Sequence, residues 1–267
     1  MSHLKIIARL STGLALLAVA GCAPAAVQDA PATAASTPAP EAAPAGANLA
    51  QFFENYDAAQ LSLSPQGKAY RGIRDADYGK WNDVSDEAAI ANQKLQQATA
   101  EAMRGSFDPK TMSADEALSF ELFNAQAARA ARLFPYRNHG YVFDQMNGAQ
   151  SQLPAFLINI HRVVDAAEAE AYVSRIRGLG PILDALSAQS AERAKKGVQP
   201  PKWVYAYLIS DIGNLQKPDN AVVEDITAKV GKLAIADAEK ARLIASAKAA
   251  WSESAGPAYG RLLAEMK

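Results

Sequence analysis

Ser113-Ala-Asp-Glu-Ala-Leu-Ser-Phe-Glu-Leu-Phe-Asn-Ala125 decides the fold class. Ser113 and Glu116 stand three apart, so the hydroxyl can accept the amide of Glu116 while the carboxylate reaches back to the amide of Ser113. That capping box opens a long helix, with Leu118, Leu122 and Ala125 returning to one face at spacings of four and three. The same grammar recurs on both sides. Ser85 precedes DEAAIANQKLQQATAEAM, whose first-turn acids sit where the helix dipole favours negative charge. Asp165 to Arg177 is rich in Ala and Glu and is expected to break at Gly178-Leu-Gly180-Pro181. A new helix then runs from Ile182 to about Lys196 and stops at Gly197. Pro200-Pro201 starts another, since a first-turn amide has no partner to lose. Ile226, Val230 and Leu233 keep helical spacing, as do Leu243, Ile244, Ala247 and Trp251. No segment alternates with the period of two that a strand requires. The reading is an all-α, multi-helix array or bundle over residues 49–267.

One stretch breaks the pattern. Phe134 to Pro154, FPYRNHGYVFDQMNGAQSQLP, holds aromatics, amides, two glycines and a histidine without helical periodicity. It is longer than the usual helix–helix connection, and ordered loops of that length often carry function. The competing reading is a loop that packs its own Tyr and Phe residues over the helices.

The amino terminus reads as an export signal. Lys5 and Arg9 precede an apolar run from Leu10 to Ala20, which is too short to span a bilayer. Val19-Ala20-Gly21-Cys22 resembles the lipobox of bacterial lipoprotein precursors, making Cys22 the lipidated first residue of the mature chain. It is the single cysteine, which excludes an internal disulfide. Ala23 stands where inner-membrane lipoproteins resemble one another in carrying Asp, so the analogy favours the outer membrane, facing the periplasm. Ala23 to Ala47 contains 12 Ala and 5 Pro among 25 residues and no aromatic, a composition that cannot bury enough surface to order itself. The chain thus divides into a signal peptide (1–21), an Ala/Pro-rich disordered linker (22–48) and a helical domain (49–267). Fully extended, the linker reaches ~80 Å from the lipid.

Charge is nearly balanced, with 27 basic and 28 acidic residues. No clustered basic face points to nucleic acid. Catalytic signatures are scarce. Beyond the signal peptide only His139 and His161 remain, and no His-x-x-x-His pair places two imidazoles on one helical face for zinc. There is no Gly-x-Ser-x-Gly elbow and no phosphate-cradling glycine loop. Asp86-Glu87, Asp115-Glu116 and Glu224-Asp225 lie at helix starts, where the dipole accounts for them. His161 closes the apolar run from Pro154 to Ile160 and reads as a buried, backbone-bonded histidine; His139 lies in the irregular loop.

Several stretches together resemble the amino-terminal half of the bacterial proteins grouped as domain of unknown function 885. These are Ser62-Leu-Ser-Pro65, Gly72-Ile-Arg-Asp-Ala-Asp-Tyr-Gly79 with Trp81, and Tyr141-Val-Phe-Asp-Gln-Met-Asn-Gly148. Leu153-Pro-Ala-Phe-Leu-Ile-Asn-Ile-His-Arg162, Asp165 with Ala169-Glu-Ala-Tyr172, Gly197-Val-Gln-Pro-Pro-Lys-Trp203 and Pro257-Ala-Tyr259 with Arg261-Leu262 complete the set. The resemblance runs from about Asn48 to Lys267. It implies a largely helical, secreted or lipid-anchored protein similar to zinc-dependent metallopeptidases. The family's metal motif, a His-Glu pair followed by Gly-His-His, belongs to its carboxy-terminal half. Zinc is therefore expected for the full-length family and not for this chain, which by that reading is truncated and inactive alone. The resemblance also makes the irregular segment a cleft wall. Candidate lining residues are Arg137, His139, Tyr141, Asp144, Gln145, Asn147 and His161, with Tyr141, Asp144 and Gln145 touching a peptide backbone. Truncation should leave an apolar patch on the helices Leu243–Trp251 and Tyr259–Met266. Two other readings stay open: a complete helical binding or scaffold lipoprotein, and an enzyme built on His139 and His161.

Overall fold

The computed structural model describes residues 46–217 and 219–267. The expected signal peptide, Cys22 and nearly all of the linker lie outside the described residues. Within them the regular elements are helical and no strand occurs. In chain order they are α1 (Leu49–Ser62), α2 (Pro65–Tyr70), α3 (Asp86–Ser106), α4 (Ala114–Leu133), α5 (Ala149–Asn159), α6 (Ala166–Lys195), α7 (Val204–Leu215), α8 (Ala221–Gly231), α9 (Asp237–Ala250) and α10 (Gly256–Met266). Side-chain N-caps start six of them: Asn48, Ser64, Ser85, Ser113, Asp165 and Asn220 each accept an amide of the first turn. The capping box of Ser113 and Glu116 is formed as the sequence requires.

α6 is the axis of the larger core. Its apolar stripe, Tyr172, Val173, Ile176, Leu179 and Leu183, is wrapped by α5, α8, α9, α10 and the π turn Trp251–Ala255. A smaller core joins α1, α3 and α4 through Phe52, Ala100, Met103, Phe120, Phe123 and Ala127. Edge-to-face rings stiffen it, Phe52 on Phe107 at 5.6 Å and Tyr56 on Phe123 at 5.0 Å.

The break expected at Gly178-Leu-Gly180-Pro181 does not occur; α6 runs unbroken through Pro181. Proline lacks the amide that would bond the carbonyl four residues earlier, here that of Arg177. The Ser254 hydroxyl donates to that carbonyl at 2.6 Å. Gly180 makes the approach possible, because a Cβ there would lie 2.3 Å from Ser254 Oγ and 3.1 Å from its carbonyl oxygen. Gly178 likewise leaves room for the Trp81 ring. The two glycines are packing residues, not terminators. α5 repeats the device. Pro154 sits inside the helix, and the carbonyl it orphans, that of Gln150, accepts the Tyr259 hydroxyl at 3.0 Å.

Three further expectations need correction. The irregular stretch is shorter than Phe134–Pro154: a 3-10 turn spans Phe134–His139, α5 begins at Ala149, and only Gly140 to Gly148 is loop. α4 buries Phe120, Phe123 and Ala127, leaving Leu118 and Leu122 outward, because aromatic faces cover more apolar area than leucines on the other stripe. The apolar patch expected on the last helices is absent. Leu243, Ala247, Trp251, Tyr259 and Leu262 are buried in the larger core, against α6 and α7.

Tyr259→Phe should lower stability by roughly 1–3 kcal/mol, since it removes the donor of a buried carbonyl. Ser254→Ala should cost less, its bond being within reach of water. Urea unfolding of both variants checks the order; equal stability of Tyr259→Phe and the parent would refute the account of Pro154.

Candidate functional site

The loop after α4 is fastened from several directions. Arg137 grips Asp86, the first residue of α3, with Nε at 2.7 Å and Nη2 at 2.8 Å, and its guanidinium lies 4.3 Å over the Phe134 ring. This pairing holds the Asp86 carboxyl below the usual carboxylate range. Arg193 of α6 donates to the Gly140 carbonyl at 2.9 Å and to Asn138 Oδ1 at 3.1 Å. Phe143 is sunk in the larger core. Asp144 Oδ1 accepts the amides of Met146 and Asn147, both at 2.7 Å, closing a tight turn, while Gln150 Nε2 donates to the Asp144 carbonyl at 2.6 Å. Of the candidate residues, His139, Tyr141 and Asn147 are exposed, and Gln145 is half-buried. Tyr136 meets His139 edge to face at 5.5 Å on the rim. The packing reading of this loop thus fits its geometry: Arg137 and Asp144 hold the loop itself.

His161 is elsewhere, in the interior, and the residues around it escaped the sequence reading. Its ring lies between Tyr78 (4.3 Å) and Tyr172 (5.0 Å). Nε2 lies 3.1 Å from the Glu168 carbonyl, which can only accept, so this nitrogen carries the proton. Nδ1 is then the lone pair that faces Arg175 Nη1 at 3.0 Å. Arg175 is fully buried. Its Nε donates to the Lys80 carbonyl at 3.0 Å and its Nη2 to that of Pro65 at 3.4 Å. The guanidinium is faced by Phe156, Tyr78 and Trp81, at 4.7, 5.2 and 5.7 Å. No carboxylate pairs with it among the described residues. Desolvation pushes Arg175 down to about 10, still cationic at neutral pH. Burial, reinforced by the Arg175 charge, pushes His161 down to about 3.

A second cation completes the centre. Lys229 Nζ donates to the carbonyls of Leu157, Ile158 and His161, at 3.1, 2.9 and 2.9 Å, and so caps the carboxyl end of α5. Asp225 pairs with it at 2.7 Å and accepts the Tyr172 hydroxyl at 2.8 Å. The one signal that could have revealed Arg175 is its register, since Tyr172, Arg175 and Leu179 share an apolar stripe of α6.

The chemistry open to this arrangement is limited. A neutral imidazole whose two nitrogens are both engaged offers neither a proton acceptor nor a metal ligand without dismantling the cluster. His139 lies apart, exposed at the end of the 3-10 turn. The residues present do not fit zinc: among the described residues, no three of His, Cys, Asp and Glu come together in a way that could hold a metal ion.

Two predictions follow from the buried pair. Arg175→Met should cost roughly 2–4 kcal/mol in urea unfolding, because it leaves two carbonyls and an imidazole nitrogen without a donor. For His161 the folded state binds its proton less readily than the unfolded chain. Its contribution is therefore complete above the unfolded value of 6.5 and is lost as pH falls toward about 3. Between about pH 6.5 and 4.5, before most carboxylates titrate, stability should decline in the parent and stay flat in His161→Gln. Parallel slopes would remove His161 from the account.

No curated protein matches this chain. Solved structures do. A candidate lipoprotein from Colwellia psychrerythraea shares the fold with a TM-score of 0.69 at 16% identity, over 82% of this chain and 40% of its own. A candidate lipoprotein of unknown function from Shewanella oneidensis gives 0.55 at 16% identity, over 83% of this chain and 38% of its own. The chain thus spans about two fifths of the length of these solved relatives. The profile of one sequence family covers residues 65–267, from the first turn of α2 through α10. The chain belongs to that family, the bacterial proteins of unknown function DUF885.

Proposed function

We propose that this chain is a lipid-anchored envelope protein whose helical domain forms the amino-terminal part of a larger, zinc-metallopeptidase-like unit and holds no catalytic centre of its own. The observation that carries the reading is the match to solved relatives described as candidate lipoproteins, of which this fold occupies about two fifths. The Val19-Ala20-Gly21-Cys22 sequence agrees with it and supplies the anchor. Acyl chains on Cys22 hold the chain to the bilayer, each buried CH2 contributing about 0.8 kcal/mol. Ala23 directs it to the outer membrane on the periplasmic side. Metal and peptide chemistry belong to the carboxy-terminal half of the family's domain. The present residues contribute scaffold, and the exposed rim of the 140–148 loop contributes a wall where Tyr141 can meet a peptide. A second reading, a helical binding module, draws on the exposed aromatic pair Trp203 and Tyr207, 6.2 Å apart at the start of α7.

Labelled palmitate supplied to cells making the chain should enter the parent and not Cys22→Ser, and only the parent should fractionate with membranes. Labelling that survives the substitution would remove the anchor. The purified chain should hold well under one zinc per molecule and leave peptides uncut. Stoichiometric zinc with turnover would overturn the assignment of catalysis to another part of the domain.

A further inference from the structure

The outward face of α4 combines unpaired charges with exposed leucines in one ordered row. Several long charged side chains elsewhere are paired: Arg71 with Asp57, Arg261 with Asp184, and Arg242 with both Glu170 and Glu239. On α4, Asp115, Glu121, Arg129 and Arg132 are all exposed, and none forms an ion pair among the described residues. Between them stand two leucines in solvent, Leu118 at 56% and Leu122 at 53% exposure. Leu118, Leu122, Ala125, Arg129 and Arg132 follow one another at spacings of four, three, four and three. That is the period of a helix–helix seam, and at 100° per residue it lies opposite the buried Phe120, Phe123 and Ala127.

The order of charge along this seam selects its partner. Acids occupy the amino-terminal half and bases the carboxy-terminal half, with the apolar residues between. The helix dipole accounts for Asp115 and Arg132 in the end turns. It does not account for Glu121 and Arg129 further in, nor for exposed leucines. A like helix laid parallel would set acid against acid; laid antiparallel, it sets Asp115 against Arg132 and brings Glu121 within about one turn of Arg129. An anionic lipid surface would be opposed by Asp115 and Glu121 on the same face.

We propose that the outward face of α4 is a self-complementary docking surface on which a second copy of this chain pairs antiparallel about a two-fold axis. With the axis crossing between Phe123 and Asn124, Leu122 faces the partner's Ala125. Asp115 then faces the partner's Arg132, and Leu118 lies along the stem of the partner's Arg129. Such an interface is isologous, each contact occurring twice. One pair of helices about 30 Å long lies at the small end of specific interfaces, so association is modest in solution and weakens with salt. The inference goes beyond the proposed function and depends neither on lipid at Cys22 nor on metal chemistry.

Cross-linking of the full chain in detergent tests it, with Cys22→Ser so that an introduced thiol is the only one. Near the axis, Ala125→Cys should give a covalent dimer under mild oxidation. Ser119→Cys, equally exposed but on the flank of the helix, should give at least about fivefold less. Adding Arg129→Glu and Arg132→Glu to Ala125→Cys should lower the yield at least about fivefold by setting acid against acid. Adding Asp115→Arg and Glu121→Arg to that variant should restore it. Circular dichroism confirms that each variant folds. Equal yields at positions 119 and 125, or no recovery in the charge-swapped chain, would overturn the proposal. So would binding of the parent to anionic vesicles through this face with no covalent dimer.

Discussion

A guanidinium without a carboxylate organises this molecule. Removing Arg175 from water costs several kcal/mol, and no opposite charge among the described residues offsets it. Two main-chain carbonyls, one imidazole lone pair and three aromatic faces do so instead. They come from four stretches of chain: Pro65 from α2, Tyr78 to Trp81 from the connection to α3, Phe156 from α5 and His161 just beyond it. Satisfying one side chain of α6 therefore fixes the positions of four other segments. The neutrality of His161 is part of the same solution, since a second positive charge 3.0 Å away would have no counterion.

The architecture follows from that centre outward. Lys229 and Asp225 seal the carboxyl end of α5 from the other side, and the larger core closes around α6. The smaller core of α1, α3 and α4 is joined to this body through polar clamps from α6, Arg193 with Asn138 and the Gly140 carbonyl and Gln189 with the Val84 carbonyl. The loop that most resembled a site by composition is one of these joints. The polar residues that most resemble a catalytic cluster by proximity are buried and mutually satisfied. Packing and the mutual satisfaction of polar atoms account for both groups.

What the sequence disclosed, and what it hid, divides by range. Helix starts were legible because a cap is decided within four residues, as at Ser85, Ser113 and Asp165. The continuity of α6 was not, because the donor that relieves Pro181 is Ser254, 77 residues away. The face of α4 was ambiguous in kind, since Leu118/Leu122/Ala125 and Phe120/Phe123/Ala127 both fit a helical stripe, and only a neighbour decides between them. Amphipathicity of the last helices was read correctly, but not the elements that cover them. Arg175 was invisible for a different reason: in a stretch rich in Ala and Glu, a charged residue reads as solvated. His161, at the end of an apolar run, is interior.

The hydroxyls of Ser254 and Tyr259 also bear on the order of events during synthesis. Each relieves a proline-orphaned carbonyl in a helix made much earlier, 77 and 109 residues upstream. A chain emerging amino end first from a ribosome or secretion channel presents α5 and α6 with those two carbonyls still facing water. The Gln150 carbonyl of α5 is buried, so that site stays open to water until α10 supplies its donor. The two bonds that complete these helices therefore form only after residues 254 and 259 have been made.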